Sequence, residues 1–278
     1  MWEDDTVMMR SLYTAATGMR AQQTNVDNIS NNLSNVNTVG YKTQKAEFKS
    51  LLYQTIQTRT TTANGEQKPI AAQVGLGTRI ASNTAIFTQG ALQASESNTD
   101  FAIDGGGFFA VRGSDGQTYY TRNGSFQWSM GVNGVTLTNS NGYPVLDTNG
   151  NPIVLPNGIS SGNASVTERG EFGYMNADGL FVSLNQQFGI YQFNNPGGLE
   201  REAGSLYSVT DASGAPLNEA TVAGLVPSKV VQNYLEGSNV QVADEMVNLI
   251  VAQRAYQLNS KAITTSDEML EQANNLRR

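Results

Sequence analysis

The sequence predicts an α+β fold in which long N- and C-terminal helices form a coiled-coil-like pair and the central domain is all-β. Three observations support this prediction. Near both ends of the 278-residue chain, apolar residues recur at intervals of three and four, as on one face of a helix. Between the ends the apolar period changes to two, which is the period of a strand. Asn-Gly and Asp-Gly dipeptides separate these short runs, and both dipeptides favour hairpin turns.

The first helix is predicted over residues 10–40, after a disordered extension at residues 1–7 and before a stop at Gly40. Its apolar seam comprises Leu12, Ala15, Met19, Val26, Ile29, Leu33 and Val36. A stripe of amides beside this seam comprises Asn25, Asn28, Asn32 and Asn35. Amides both donate and accept hydrogen bonds, so the stripe suits a contact with another helix. A solvated polar face explains the stripe equally well.

The last helix is predicted over residues 238–276, where Ser238 and Gln241 form a capping box. Its seam comprises Val242, Met246, Leu249, Gln253, Tyr256, Ile263 and Leu270. The many Thr and Asn residues of the first helix make it a weak helix by intrinsic propensity. We therefore expect neighbouring subunits to complete the packing of both seams. The alternative is that both helices pack on a core of their own chain.

The sequence divides the chain into two terminal helices, residues 1–45 and 234–278, a linker at residues 46–74 and a β-rich domain at residues 75–233. Close-set strands with tight turns predict an antiparallel sandwich or open barrel for this domain. The predicted strands are 78–82, 101–104, 108–112, 118–121, 135–138, 170–174, 188–193, 204–209 and 230–235. Residues 51–56 fit a helix or a strand, and residues 58–69 are predicted as a flexible or extended loop.

The composition excludes several classes of function. The net charge is −7 and the 17 Lys and Arg residues are scattered, which argues against a nucleic-acid partner. No apolar run reaches the roughly 20 residues that a membrane span needs, so no membrane insertion is expected. The chain has no Cys and no His, which removes thiol chemistry and the commonest general base. We expect no catalytic residues, no metal site and no cofactor.

Three local patterns resemble ligand or catalytic sites, and each has a simpler explanation. Residues 104–107 are Asp-Gly-Gly-Gly, but they lack the Lys of a phosphate loop and fit a tight turn. Residues 147–151 begin like a calcium loop, but the Gly and Glu that an EF-hand needs further along are missing. Glu168 and Glu171 could form the carboxylate pair of a glycosidase, but nothing in the sequence places them across a cleft.

Three stretches resemble the axial proteins of the bacterial flagellum, the rod and hook family. The first, residues 11–42, contains the specific run Asn-Asn-Leu-Ser-Asn-Val-Asn-Thr. The second covers residues 101–109 and 120–126, and the third covers residues 236–270. Residues 51–69 resemble a segment typical of the distal part of the rod, and the central region is too short for the additional outer domain of hook proteins. The resemblance is nearly full-length.

The resemblance implies a structural subunit of the distal rod that polymerises helically into a stiff, hollow shaft. Such a shaft transmits torque from motor to hook and contains the export channel. The expected partners are further copies of the chain, other rod proteins, the hook protein, surrounding ring proteins and the flagellar type III export apparatus. The N-terminus lacks the layout of a cleaved signal, so we expect export by this apparatus to the basal body, outside the cytoplasmic membrane.

Other interpretations remain open. Inside the family, the proximal rod and the hook are the alternatives. Outside the family, a surface adhesin or a phage-tail-like binding module would also combine helical ends with a β head. A carbohydrate-active enzyme is the least favoured interpretation, because the chain has no His.

Overall fold

A computed structural model describes residues 3–57, 72–131, 134–156, 162, 164–176, 180–222 and 224–275. It contains helices at both ends and antiparallel strands between them, which confirms the α+β prediction. The chain forms two compact units. Unit 1 comprises Met1–Leu33, Gln44–Thr84 and Gln241–Arg278, and unit 2 comprises Ser34–Thr43 and Ala85–Val240.

Helix α1 covers Glu3–Ser34 and helix α2 covers Val242–Asn275. The predicted boundaries of the first helix were wrong at both ends, since α1 begins inside the predicted extension and ends before Gly40. Gly40 adopts a positive φ of 68° for a different reason. A Cβ atom there would lie 2.6 Å from the backbone nitrogen of Asn123, so the close approach of two chain segments in unit 2 requires glycine.

The predicted capping box at the start of the last helix was also wrong. The first helical hydrogen bond of α2 runs from Glu245 N to Gln241 O at 3.0 Å, which places the N-cap at Gln241. Ser238 Oγ instead accepts a hydrogen bond from Val240 N at 3.3 Å. The serine therefore stabilises the turn before the helix.

Unit 1 contains two pairs of strands besides the helices. Strand β1 (Gln44–Ser50) pairs with β4 (Thr78–Ala85), and β2 (Tyr53–Gln57) pairs antiparallel with β3 (Ala72–Gly75). The segment that fitted a helix or a strand is thus a strand. Sequence analysis missed β1 because Ala46 is its one buried residue, so it has no apolar alternation. The loop predicted at residues 58–69 lies outside the described residues.

Unit 2 contains the β-rich region. Its strands are β5 Leu92–Ala94, β6 Phe101–Asp104, β7 Phe108–Arg112, β8 Thr118–Thr121, β9 Phe126–Gly131, β10 Gly134–Asn139, β11 Val154–Leu155, β12 Ala164–Val166, β13 Glu171–Met175, β14 Phe181–Gln187, β15 Ile190–Gln192, β16 Glu200–Glu202, β17 Leu206–Ser208, β18 Leu217–Asn218, β19 Lys229–Gln232 and β20 Tyr234–Glu236. Each predicted strand coincides with or overlaps one of these strands or β4. The largest sheet has the order β16-β17-β8-β7-β15-β18. Smaller sheets are β11-β10-β9, β12-β13-β14, β19-β6 and β20-β5.

Strand β7 lies between the two apolar cores of unit 2, because its residues alternate between them. Phe109 packs in one core, where its ring lies 5.1 Å from that of Phe188. Phe108 packs in the other core, where its ring lies 6.0 Å from that of Tyr207. The edge-on and tilted contacts between these rings are the favourable geometries for aromatic pairs. The strand was predicted correctly, and its burial on both faces agrees with the unbroken apolar run at residues 108–111, which does not follow a period of two.

Candidate assembly site

Helices α1 and α2 run antiparallel and approach each other closely in unit 1. Ser11 Oγ lies 3.2 Å from Ser266 Oγ. One heptad further along both helices, a Cβ atom at Gly18 would lie 2.9 Å from Asn259 Nδ2, so glycine allows the close approach there. Small and polar residues thus form the contact between the helices, and their spacing is that of a heptad repeat.

Two amides of the predicted stripe are buried inside unit 1. Asn32 forms a two-point contact with the backbone of β1, because its Oδ1 accepts from Gln44 N and its Nδ2 donates to Gln44 O, both at 2.9 Å. Asn28 exchanges hydrogen bonds with Asn83 of β4, at 3.0 and 3.4 Å. These amides connect α1 to the strands of its own unit.

Asn32 also contacts a buried carboxylate on α2. Its Nδ2 donates to Glu245 Oε1 at 3.4 Å. Burial raises the pKa of Glu245 above its ordinary value, the hydrogen bond from Asn32 opposes this shift, and the neighbouring Asp244 adds to it. The helix pair therefore contains an acid whose charged form is disfavoured by folding.

The structure divides the predicted site residues of the first helix between buried and half-buried positions. Ala15, Asn28, Ile29 and Asn32 are buried. The half-buried residues are Leu12, Met19, Asn25, Val26, Leu33, Asn35 and Val36. Asn35 and Val36 follow the end of α1 and belong to unit 2.

The predicted seam of the last helix is mostly not the face that contacts α1. Leu249, Ile263 and Leu270 are half-buried, whereas Val242, Met246, Gln253 and Tyr256 are exposed. The buried residues of α2 are Glu245, Ala252 and Ser266. Sequence analysis missed this face because it contains no large apolar residue. Its signal was the seven-residue spacing of Glu245, Ala252, Asn259 and Ser266.

A second apolar surface of α2, here called the outer stripe, comprises Val247, Ile250, Val251 and Leu258. Their exposed fractions are 59%, 58%, 62% and 69%. Beside the helix pair, Gln23 and Val26 of α1 and Gln253, Tyr256 and Gln257 of α2 line a groove of about 370 Å³. A helix that presents apolar residues on several faces is normally buried on those faces. In the single subunit, the outer stripe of α2 is exposed to solvent.

Unit 2 contains a separate, buried charge cluster, which comprises Lys42, Arg122 and Glu236. Lys42 Nζ donates to Glu236 Oε1 at 2.7 Å, and Arg122 Nη1 donates to Glu236 Oε2 at 3.3 Å. The side chains of Lys42 and Glu236 are 0% exposed, and that of Arg122 is 2% exposed. Burial lowers the pKa of Lys42, and the carboxylate of Glu236 opposes this shift. Sequence analysis did not identify this cluster.

Backbone groups and an asparagine complete the surroundings of the charge cluster. Lys42 Nζ also donates to Thr88 O at 2.7 Å, and Glu236 Oε1 also accepts from Gly90 N at 2.9 Å. Asn239 Oδ1 accepts from both the backbone nitrogen and the hydroxyl of Thr43 at 2.7 Å. The cluster and Asn239 thus hold four chain segments of unit 2 together, which contain residues 42–43, 88–90, 122 and 236–239.

The patterns that resembled ligand sites have structural roles. Asp147 Oδ1 accepts from the backbone nitrogens of Asn149 and Asn151, at 2.8 and 2.7 Å, so it stabilises a turn. Glu168 forms an exposed ion pair with Lys229 at 3.3 Å. Among the described residues, no group of acidic side chains is arranged to hold a metal ion. Neither helix has an apolar stretch of membrane-spanning length within the residues that the structure describes.

Comparisons with known proteins agree on one family. Three family models match: the C-terminal model of flagellar basal body rod FlgEFG proteins at residues 231–276, the D1 domain of flagellar hook protein FlgE/F/G at residues 102–174, and the flagella basal body rod protein at residues 12–42. The flagellar basal-body rod protein FlgG of Borreliella burgdorferi is 44% identical over 98% of this chain and 100% of its own length. FlgG of Bacillus subtilis is 37% identical over the same shares.

Proposed function

This chain belongs to the family of flagellar basal-body rod proteins, and we propose that it is the subunit of the distal rod. Like the rest of the family, it is a structural component of the flagellar basal body. Its proposed role is mechanical: copies polymerise helically into a stiff, hollow shaft that transmits torque to the hook and encloses the export channel. No catalytic step is proposed.

One observation supports polymerisation most strongly, namely the exposed apolar surface of α2. If a neighbouring copy covers the outer stripe, four apolar side chains leave water. Their burial stabilises the contact by about 25 cal/mol for each Å² of apolar surface buried. The predicted seam residues Val242, Met246 and Tyr256 lie open beside it. We propose that both surfaces are subunit interfaces. The contact would be heterologous, because a helical polymer does not close on itself.

We propose that the two terminal helices form a coiled-coil-like pair in the assembled rod. The heptad spacing of Ser11 and Gly18 on α1 and of Asn259 and Ser266 on α2 supports this proposal. For the β-rich region we propose a sandwich or open barrel, supported by the two apolar cores on the two faces of β7. The predicted seams of both helices and the amide stripe of α1 are proposed as the self-assembly residues.

We propose that the subunit reaches the basal body, outside the cytoplasmic membrane, through the flagellar type III export apparatus. The proposed partners are other rod proteins, the hook protein and surrounding ring proteins. The proximal rod and the hook are the alternatives within the family. Relatives named FlgG support the distal rod, since they match over nearly their whole length.

Immunogold electron microscopy of purified hook–basal bodies tests the proposed location. An antibody against unit 2 is expected to label the shaft below the hook, at a height that separates the distal from the proximal part. Label along the curved hook would contradict the proposed position, and no label on either structure would contradict the rod function altogether.

Val251→Asp tests the proposed interface. The side chain is 62% exposed in the single subunit, so a carboxylate there leaves the fold intact but blocks apolar burial between copies. We expect normal thermal unfolding of the purified variant, no rods by electron microscopy and no swimming. Asp27→Asn, an exposed change on α1, is the control and should assemble. Swimming cells with Val251→Asp would contradict the proposed interface.

A further inference from the structure

The charge cluster of unit 2 joins parts of the chain that lie far apart in sequence. Lys42 and Glu236 are 194 residues apart, and Arg122 and Glu236 are 114 residues apart. Both cations thus precede the carboxylate in the chain. During synthesis, or during any passage of the chain N-terminus first, the cations arrive early and their counter-charge arrives late.

The two buried cations of unit 2 depend on this late carboxylate for their ion pairs. Lys42 and Arg122 form ion pairs with Glu236 and with no other carboxylate in the described part of the chain. Without Glu236, folding would bury two cations with no ion-pair partner, although Glu219 also favours the charged form of Arg122 to a smaller extent than Glu236 does. Burying an unpaired charge is strongly unfavourable, whereas a paired and hydrogen-bonded charge is tolerated.

The same late segment also supplies strands and backbone contacts. Strand β19 pairs with β6, and β20 pairs with β5. Val230 of β19 is 2% exposed in the apolar core. Glu236 O accepts from Gly40 N at 2.8 Å, beside the side-chain cluster. The segment from β19 to residue 239 therefore completes the core, the sheets and the charge cluster together.

We propose that Glu236 is the closing residue of unit 2, so that this unit attains its stable fold only when the segment after residue 228 supplies the last strands and the counter-charge. Until then the two early cations oppose compaction of the unfinished unit. The benefit of this order rests on the function proposed above, because a subunit that passes through an export channel must stay unfolded until it emerges.

The first test compares Glu236→Gln, Lys42→Met and Glu168→Gln in the full-length chain. A Trp2→Phe background leaves Trp128 of β9 as the single tryptophan, so its fluorescence reports on urea unfolding of unit 2. Glu236→Gln is nearly isosteric and leaves both cations buried without their ion-pair partner. Lys42→Met leaves Arg122 and Glu236 paired and removes the excess positive charge of the cluster.

We expect Glu236→Gln to lower the folding equilibrium constant of unit 2 by about a hundredfold or more. Lys42→Met should lower it by less than about tenfold, because the Arg122–Glu236 pair survives. Glu168→Gln breaks an exposed ion pair and serves as the control, and it should change the folding equilibrium constant by at most about fivefold. Failure of Glu236→Gln to fold while Lys42→Met folds would also support the proposal. Equal losses in these two variants, including failure of both to fold, would overturn it.

The second test measures when unit 2 folds during synthesis. Ribosome-bound chains of increasing length, up to the full chain, carry a C-terminal sequence that arrests translation. Folding of the chain outside the ribosome pulls on this sequence and releases the arrest, so the released fraction reports the folding force. We expect the force from unit 2 to appear at the length at which Glu236 leaves the exit tunnel, and to be lost with Glu236→Gln but kept with Glu168→Gln. Force at a length that exposes only residues up to 228, or unchanged force in Glu236→Gln, would overturn the proposal.

Both tests use isolated or ribosome-bound chains and need no flagellum. A failure of the closing role would therefore leave the rod function intact. Conversely, the failure of variants such as Val251→Asp to disturb rods would leave the result for Glu236 standing.

Discussion

Asn32 shows how one buried amide can connect three elements. Its amide group contacts the backbone of Gln44 in β1 twice and the carboxylate of Glu245 in α2 once. It is 1% exposed, so water cannot replace lost partners. Sequence analysis placed Asn32 in an amide stripe but could not decide between a contact and a solvated face.

Asn32→Ala is expected to destabilise unit 1 by about 2 kcal/mol, because it leaves the backbone N–H and C=O of Gln44 without their side-chain partner. Urea unfolding followed by far-UV circular dichroism measures the loss. Gln23→Ala, an exposed change on the same helix, should stay within about 0.5 kcal/mol of the natural chain. Equal stabilities of the two variants would mean that Asn32 contributes no net stabilisation.

Glu245→Gln is expected to change how stability depends on pH. The folded-state pKa of Glu245 lies above the unfolded value, so the folded state holds this proton more tightly than the unfolded state. The natural chain therefore loses stability as pH rises through the folded pKa, whereas Gln, which does not titrate, shows no such loss. The urea midpoints of both chains from about pH 4 to about pH 7 test this. A difference between the two chains that stays constant with pH would contradict it.

The contact between α1 and α2 was the least predictable part of the fold. Large apolar residues usually mark the buried face of a helix, but the buried face of α2 carries Glu245, Ala252 and Ser266. Periodicity predicted both helices, although not the ends of the first, because apolar residues recur at intervals of three and four whichever face of the helix they occupy. It could not decide which face meets the partner helix, because α2 also keeps apolar residues at positions that stay open in the single subunit.

Gly18→Leu is expected to weaken the helix pair by about 1–2 kcal/mol. Leu is a better helix former than Gly by about 0.8 kcal/mol, so a net loss means that overpacking against Asn259 dominates. Thermal unfolding measures the change, and Arg20→Leu on an exposed position of α1 is the control. Asn259→Ala in the Gly18→Leu background should recover part of the loss. A net gain from Gly18→Leu would show that the helices have room to separate at no cost.

For the molecule as a whole, sequence analysis predicted the local elements better than the long-range contacts between them. Short runs of apolar and aromatic residues, bounded by turn signals, located strands such as β6, β7 and β8 at their observed bounds. Strands with few apolar residues, such as β1 and β16, gave no such signal. The charge cluster was invisible to sequence analysis because Lys42, Arg122 and Glu236 look like ordinary surface residues until the fold brings them together.

Ile29→Asp is expected to prevent assembly through the fold of unit 1. Ile29 is 5% exposed, and a carboxylate in its place would be buried without a partner. Circular dichroism should show lost helix and retained strand signal, and electron microscopy should show no rods. Normal rods in this variant would contradict the role proposed for the seam of α1.

The central claim is that neighbouring copies cover the outer stripe of α2, and thiol protection tests it most directly. The natural chain has no cysteine, so Val251→Cys introduces a single reporter. Ala252→Cys, at a position that is 1% exposed, is the matched control and should be protected from maleimide both in the free chain and in rods. Val251→Cys is expected to react readily in the free chain and to be protected in isolated hook–basal bodies. Equal reactivity of Val251→Cys in the free chain and in assembled rods would contradict the claim.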